Sequence, residues 1–184
     1  MRYLILMGTV VLAAALTGCK SAPIAAYNQE IVLAHKALID GEAEEARQRV
    51  LQAKQIADGT DINTTSAQLL LAETKLKSGK PVEAVGIVQE VLKDDPRNPR
   101  ANEILGKACI QDGQFARAEE HLRKAKAEYP EAADRGRVDD LMSLARGLAA
   151  YGEGDLAVAR KYWAGIRDAN LRYAVDVAVK TEAK

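Results

Sequence analysis

Residues 99–130, PRANEILGKACIQDGQFARAEEHLRKAKAEYP, decide the fold. The stretch divides at Asp112-Gly113, a polar residue followed by one that readily turns a chain. Before the turn, Ile104, Leu105, Ala108, Cys109 and Ile110 recur at helical spacing on one side. After it, Phe115, Ala118, His121, Leu122 and Ala125 do the same. Small residues fall where two paired helices must approach closely, and Pro130 stops the second helix. The reading is two amphipathic helices folded back on one another.

The same unit occurs next door. Laying residues 65–98 over residues 99–132, a shift of 34, places Leu71 on Leu105, Ala72 on Gly106, Gly79 on Gly113, Ala84 on Ala118, Val91 on Ala125 and Pro96 on Pro130. Pro81 falls just inside the second helix of its unit, where a missing N–H costs little. A looser copy spans roughly residues 27–60, with Gly41, Ala46, Val50 and Ala53 in the corresponding places. Gly41 lies 38 residues before Gly79, so a longer loop is expected between these copies. A fourth copy carries Gly147, Gly154, Ala159, Trp163 and Ile166, and Trp163 stands where the third has Leu122. Its glycine comes 41 residues after Gly113, and the seven extra residues, around 131–139, make either a longer connection or an extended first helix. This period and the positions Leu105, Gly106, Gly113, Phe115, Ala118, Ala125 and Pro130 resemble the tetratricopeptide repeat, a helix-turn-helix of ~34 residues. Asn102 and Cys109 depart from the Trp and Tyr often found in that family. The expected fold class is all-α: a solenoid of antiparallel helix pairs, about four repeats, closed by a C-terminal capping helix. Leu171, Ala174, Val175 and Ala178 form the inward stripe expected of that cap, and residues 181–184 are expected to fray.

Composition agrees with packed helices. The chain is 48% hydrophobic but only 4% aromatic, which favours helices over a β-sandwich. Lys and Arg balance Asp and Glu at 26 each, so net charge gives no reason to expect nucleic acid as a partner.

The N-terminus has its own pattern. Arg2 precedes an uncharged run over residues 4–16, short for a membrane span of about 20 residues and suited to a signal-peptide core. The run ends in Leu16-Thr17-Gly18-Cys19, which resembles the bacterial lipobox. That resemblance implies cleavage before Cys19, acylation of Cys19 and an extracytoplasmic globular part. Several acyl chains hold a protein stably where one anchors only marginally. Lys20 after the cysteine implies, in a two-membrane bacterium, an outer-membrane protein facing the periplasm. With a single membrane, it implies the outer face of the cytoplasmic membrane. The expected organisation is a signal peptide at 1–18, a lipidated cysteine and short tether at 19–26, repeats at 27–168, and the capping helix and tail at 169–184.

No catalytic constellation emerges. His35 and His121 fall on different helix types two repeats apart, and His121 borders a packing stripe, which marks a structural histidine. Cys109 sits at a repeat-core position and reads as an inert buried thiol. Zinc-ligand spacing is missing, and the glycines follow no strand, so neither a metal nor a phosphate cradle is expected. Adjacent acids such as Asp94-Asp95, Glu119-Glu120 and Asp139-Asp140 diverge by roughly 100° on a helix and read as exposed faces or helix ends. The chain is therefore read as non-enzymatic and without a cofactor.

What remains is a binding surface. In the repeat family, first helices line a face that holds extended or helical peptides. Carrying those places over gives Asn28, Ile31 and His35, then Leu69, Glu73, Leu76 and Lys77. The third copy adds Arg100, Glu103, Lys107 and Gln111, and the fourth Leu144, Leu148 and Tyr151. This mixed lining suits a peptide better than a metabolite. It lacks the Asn and Lys pattern with which one subgroup clamps a C-terminal carboxylate. The expected partners are envelope proteins or peptides, with the membrane engaged through the N-terminal lipid. The expected role is a scaffold in assembly of a pilus- or secretion-type apparatus; the alternative is an adaptor for a peptidoglycan-remodelling enzyme or for outer-membrane protein assembly. A hydrolase and a self-associating chain are the competing classes.

Overall fold

A computed structural model describes residues 21–182. The signal-peptide and lipobox expectations, residues 1–18 and Cys19, lie outside them, as do residues 183–184. Among the described residues there are nine helices and no strand: α1 Ser21–Asp40, α2 Ala43–Ala57, α3 Thr65–Lys77, α4 Pro81–Asp94, α5 Pro99–Gln111, α6 Phe115–Glu128, α7 Ala132–Gly152, α8 Leu156–Ala164 and α9 Ala169–Glu182. The all-α fold of adjacent helix pairs expected from the repeat is present.

One turn recurs between paired helices, and Gly113 shows why. Its φ is +70°, a conformation that costs an L-residue with a Cβ roughly 1–2 kcal/mol. Gly113 N–H donates to the Ile110 carbonyl at 3.1 Å, and Gln114 N–H reaches back to Cys109 at 2.8 Å. Two carbonyls at the end of α5 are thereby satisfied, and the chain reverses into α6. Gly41, Gly79 and Gly154 repeat the same pair of bonds, at positive φ. Helix starts are signalled differently: Asn98 Oδ1 accepts from Ala101 N–H at 3.0 Å, and Pro99 occupies the first turn of α5.

The described residues divide into two compact units, 21–74 and 75–182. In the first, α1 and α2 pack together, and Tyr27, Ala34, Leu38, Ala46, Val50 and Ala53 form a core with Ala67 and Leu70 of α3. Residues 21–26, expected as a tether, are instead the opening turns of α1; Ala-rich sequence with Pro23 in the first turn favours helix there. The extra residues between the first two copies lie in the 58–64 loop, as expected.

In the second unit, each helix from α4 to α8 packs on its successor. Cys109, Ala118 and Ala145 join α5, α6 and α7; Leu122, Ala125, Val138, Leu141 and Met142 fill the α6–α7 interface. The seven extra residues of the fourth copy extend its first helix: α7 has 21 residues against 13 in α5. At the end of the unit, Ala150, Ala159, Trp163, Ile166 and Val175 form a core to which α9 contributes. The cap therefore exists, but its inward stripe is narrower than expected. Val175 is buried and Leu171 half-buried, whereas Ala174 is exposed; the side chain of Ala178 lies outside the description.

A volume rule links the copies. Ala34 and Val50, Gly106 and Leu122, and Gly147 and Trp163 are each 16 residues apart, and all are buried. In the second unit the pairing is direct: a Cβ on Gly106 would lie 2.6 Å from Leu122 Cδ2, and one on Gly147 would lie 2.0 Å from Trp163 Nε1. The larger the residue on the second helix, the smaller its counterpart on the first.

Candidate partner-binding surface

The expected surface residues divide between the two units. In the first, Leu69 is 4% exposed and belongs to the core, while Glu73 is half-buried. Asn28 and His35 on α1 are exposed, and Ile31 packs partly against the core.

In the second unit, α5 supplies the central positions. Its apolar side faces α4 and α6, which turns Arg100, Glu103, Lys107 and Gln111 toward its other side. Glu103 is not presented outward: it is 2% exposed. Its carboxylate accepts from Tyr129 Oη at 2.7 Å, from Lys107 Nζ at 2.6 Å and from Arg137 Nη2 at 3.0 Å. Burial pushes this carboxyl upward, but Lys107, Tyr129 and Arg137 together outweigh it and hold it below the usual carboxylate range. Glu103 thus stays ionised at neutral pH and cannot serve as a general acid. The Tyr129 phenol is pushed well above its ordinary value, first by burial and then by the Glu103 charge.

The physical reason lies in α7. Its two additional turns carry Arg137 over Tyr129, 5.5 Å from the ring centroid, and onto Glu103. Arg137 also binds Asp134 at 2.9 Å. The result is a buried carboxylate shared by two cations whose side chains remain 31% (Lys107) and 43% (Arg137) exposed. Such a cluster fixes cationic groups at the surface, where they can meet carbonyls or carboxylates of a peptide. Arg137 and Tyr129 were not among the expected positions. An aromatic just before the over-long 131–139 segment and a cation within it are the sequence signals that could have raised them.

Other positions place as follows. Gln111 is exposed and donates to the Leu76 carbonyl at 3.2 Å, so the last turns of α5 and α3 adjoin in this unit. Lys77, on that turn of α3, is exposed, and Arg100 is half-buried. Leu144, Leu148 and Tyr151 pack against the α8–α9 core, with Tyr151 5.9 Å from the Trp163 ring. The structure therefore brings Glu103 and Lys107 together, sets Gln111 beside the end of α3, and assigns Leu148 and Tyr151 to packing.

The groups considered for chemistry have structural surroundings. His121 Nδ1 lies 3.4 Å from Asn102 Oδ1, and burial, helped by Lys124, depresses its pKa. Cys109 is 7% exposed, and burial pushes its thiol up, so it stays protonated at neutral pH. Asp140, expected on an exposed face, is 5% exposed: it accepts from Arg167 N–H at 3.2 Å, Asp168 N–H at 3.0 Å and Arg167 Nε at 3.3 Å. A carboxylate collecting backbone N–H groups fixes the α8–α9 link, which adjacent acids in a sequence do not disclose. No group of three or more His, Cys, Asp or Glu side chains fit to hold a metal ion occurs among the described residues. No described helix is long and apolar enough to cross a membrane.

Comparison with known proteins agrees with this geometry. The tetratricopeptide-repeat family profile matches residues 69–133. Mouse (Mus musculus) aspartyl/asparaginyl beta-hydroxylase is 41% identical over 73 residues, covering 39% of this chain and a tenth of the hydroxylase's length. Repeats of this kind support a role in binding other proteins. Residues 69–133 thus carry the tetratricopeptide-repeat pattern, and the described chain has the all-α, helix-pair architecture that goes with it.

Proposed function

We propose that this protein is a non-enzymatic, lipid-anchored scaffold of the bacterial envelope that binds partner proteins through the α5–α7 surface of its second unit. The observation that carries the reading is the match of residues 69–133 to a protein-binding repeat, combined with Lys107 and Arg137 held outward over a buried carboxylate. Anchoring rests on the sequence alone: the uncharged run at 4–16 followed by Leu16-Thr17-Gly18-Cys19. The mouse relative's activity is not carried over, because the similarity spans a tenth of that protein. Among envelope roles, assembly of a pilus- or secretion-type apparatus fits best, by analogy of architecture.

The test is fractionation with acyl labelling, followed by co-purification from cross-linked envelopes. The wild-type chain should take up labelled palmitate and sediment with membranes, and Cys19→Ser should lose both. The wild type should also co-purify a defined envelope protein that is lost on Lys107→Glu with Arg137→Glu. A wild-type chain that stays unlabelled, or a partner indifferent to both substitutions, would overturn the corresponding half.

A further inference from the structure

Helix α1 carries large apolar side chains that its own unit leaves largely open, although Ile24 also lines a cavity with residues between 60 and 66. Ile24, Val32 and Ile39 are 48%, 67% and 70% exposed, and at about 100° per residue they fall within an arc of roughly 80°. Its core residues Tyr27, Ala34, Ala37 and Leu38 point the other way, into α2 and α3. Isolated exposed apolar residues are ordinary, but three large ones aligned along a single 20-residue helix form a stripe.

The charges on α1 are as selective as the apolar groups. Its acids are Glu30 and Asp40. Glu30 turns away to Arg49, 3.4 Å distant on α2, and Asp40 is the last residue of the helix. Between Ser21 and Ile39 the exposed side of α1 itself therefore carries no acid; His35 and Lys36 are exposed on it, and Lys36 lies near Glu42 and Glu45 at the start of α2. The stripe is interrupted by exposed Asn28 and His35 and carries no acid of α1 itself, which lets its apolar side chains sink about 5–10 Å among headgroups.

Position on the chain selects the occupant. The uncharged run at 4–16 ends five residues before α1 begins, and Cys19 precedes it by two. Ser21 is already helical, so in the sequence only Lys20 lies between Cys19 and the described helix. We infer that the Ile24–Val32–Ile39 face of α1 rests on the lipid bilayer, so that the anchor fixes the orientation of the first unit as well as its location. The inference rests on the anchoring proposed above and adds a contact that acylation alone does not require.

The test uses the full chain in vesicles of phosphatidylethanolamine and phosphatidylglycerol, some of whose acyl chains carry nitroxides. An environment-sensitive fluorescent amino acid is placed at position 32, or at Val82, which is 81% exposed on α4. At 32 the emission should shift to the blue, be quenched by the nitroxide lipid and resist aqueous iodide; at 82 the reverse should hold. Vesicle-bound chain with iodide-accessible, red-shifted emission at 32 would overturn the inference and leave anchoring intact. Protection from iodide without nitroxide quenching would mean that protein, such as a second copy, covers the stripe, and would also overturn it. Chain that does not bind vesicles at all would remove the anchoring proposal and this contact together.

Discussion

Gly147→Ala should destabilise the second unit even though alanine is the better helix former. The added methyl would lie 2.0 Å from Trp163 Nε1, 2.4 Å from Cδ1 and 2.6 Å from Cε2. Optimal carbon contacts are about 3.5–4.0 Å, so α7 and the indole must separate by more than ~1 Å. Trp163 cannot swing clear: its ring is rigid, 6% exposed and packed with Ala150, Ala159, Ile166 and Val175. Overpacking of this kind costs about 1–3 kcal/mol, and this contact belongs at the upper end. Gly→Ala inside a helix returns roughly 1 kcal/mol. The expected net loss is about 2 kcal/mol, a fall in Tm of ~4–8 °C for a chain of this size. Urea unfolding followed by the single tryptophan reads the second unit directly, which matters because two units need not unfold as one. Gly86→Ala on α4 is the internal control. Gly86 is exposed and a Cβ there meets nothing within 4 Å, so that change should stabilise by about 0.5–1 kcal/mol. In a Trp163→Val background, which copies the Ala34–Val50 pairing, Gly147→Ala should lose its cost when followed by circular dichroism. Equal responses at the two glycines, or an undiminished penalty once the indole has been replaced by the smaller side chain, would refute the volume rule.

Three further outcomes follow from other parts of the fold. Gly113→Ala should cost about 1–2 kcal/mol in urea unfolding, because φ +70° must be kept while the neighbouring space stays open. Asn98→Ala should cost about 1 kcal/mol by removing the acceptor for Ala101 N–H. Glu103→Gln should destabilise at neutral pH by about 1–3 kcal/mol, the range for losing charge-assisted bonds at a buried group. Since the folded carboxyl sits below its unfolded value, its contribution is complete above about pH 4.3 and is lost as pH falls through the folded pKa. Wild type and Glu103→Gln should therefore converge in acid, and a difference that is constant with pH would remove the ionic account.

Helix pairing was legible because the features that impose it are local. A polar residue and a glycine at each reversal, proline at the starts of α4 and α5, and small residues at fixed spacing all act within a few residues of themselves. The first turns of α1 were misread as tether because Ala-rich helix and flexible linker share a composition there. The surface was harder to read. Position on a first helix put Glu103 and Lys107 on one side of α5, but the length of α7, left open by the sequence, decides that Glu103 faces inward and meets Arg137. Leu69 is buried for a related reason: an apolar residue on a first helix is drawn to whichever neighbour covers it. Asp140 was missed because its partners are backbone groups 27 and 28 residues away, which no spacing rule marks.

The most direct measurement of the central claim is site-specific photo-crosslinking in intact envelopes, with the reactive residue at Lys107 or, on the outward side of α6, at Arg123, whose side chain is 65% exposed. The account predicts that Lys107 captures one discrete envelope protein and that Arg123 does not. Capture of that protein at Arg123 but not at Lys107 would contradict it, and would move the binding surface to the second helices.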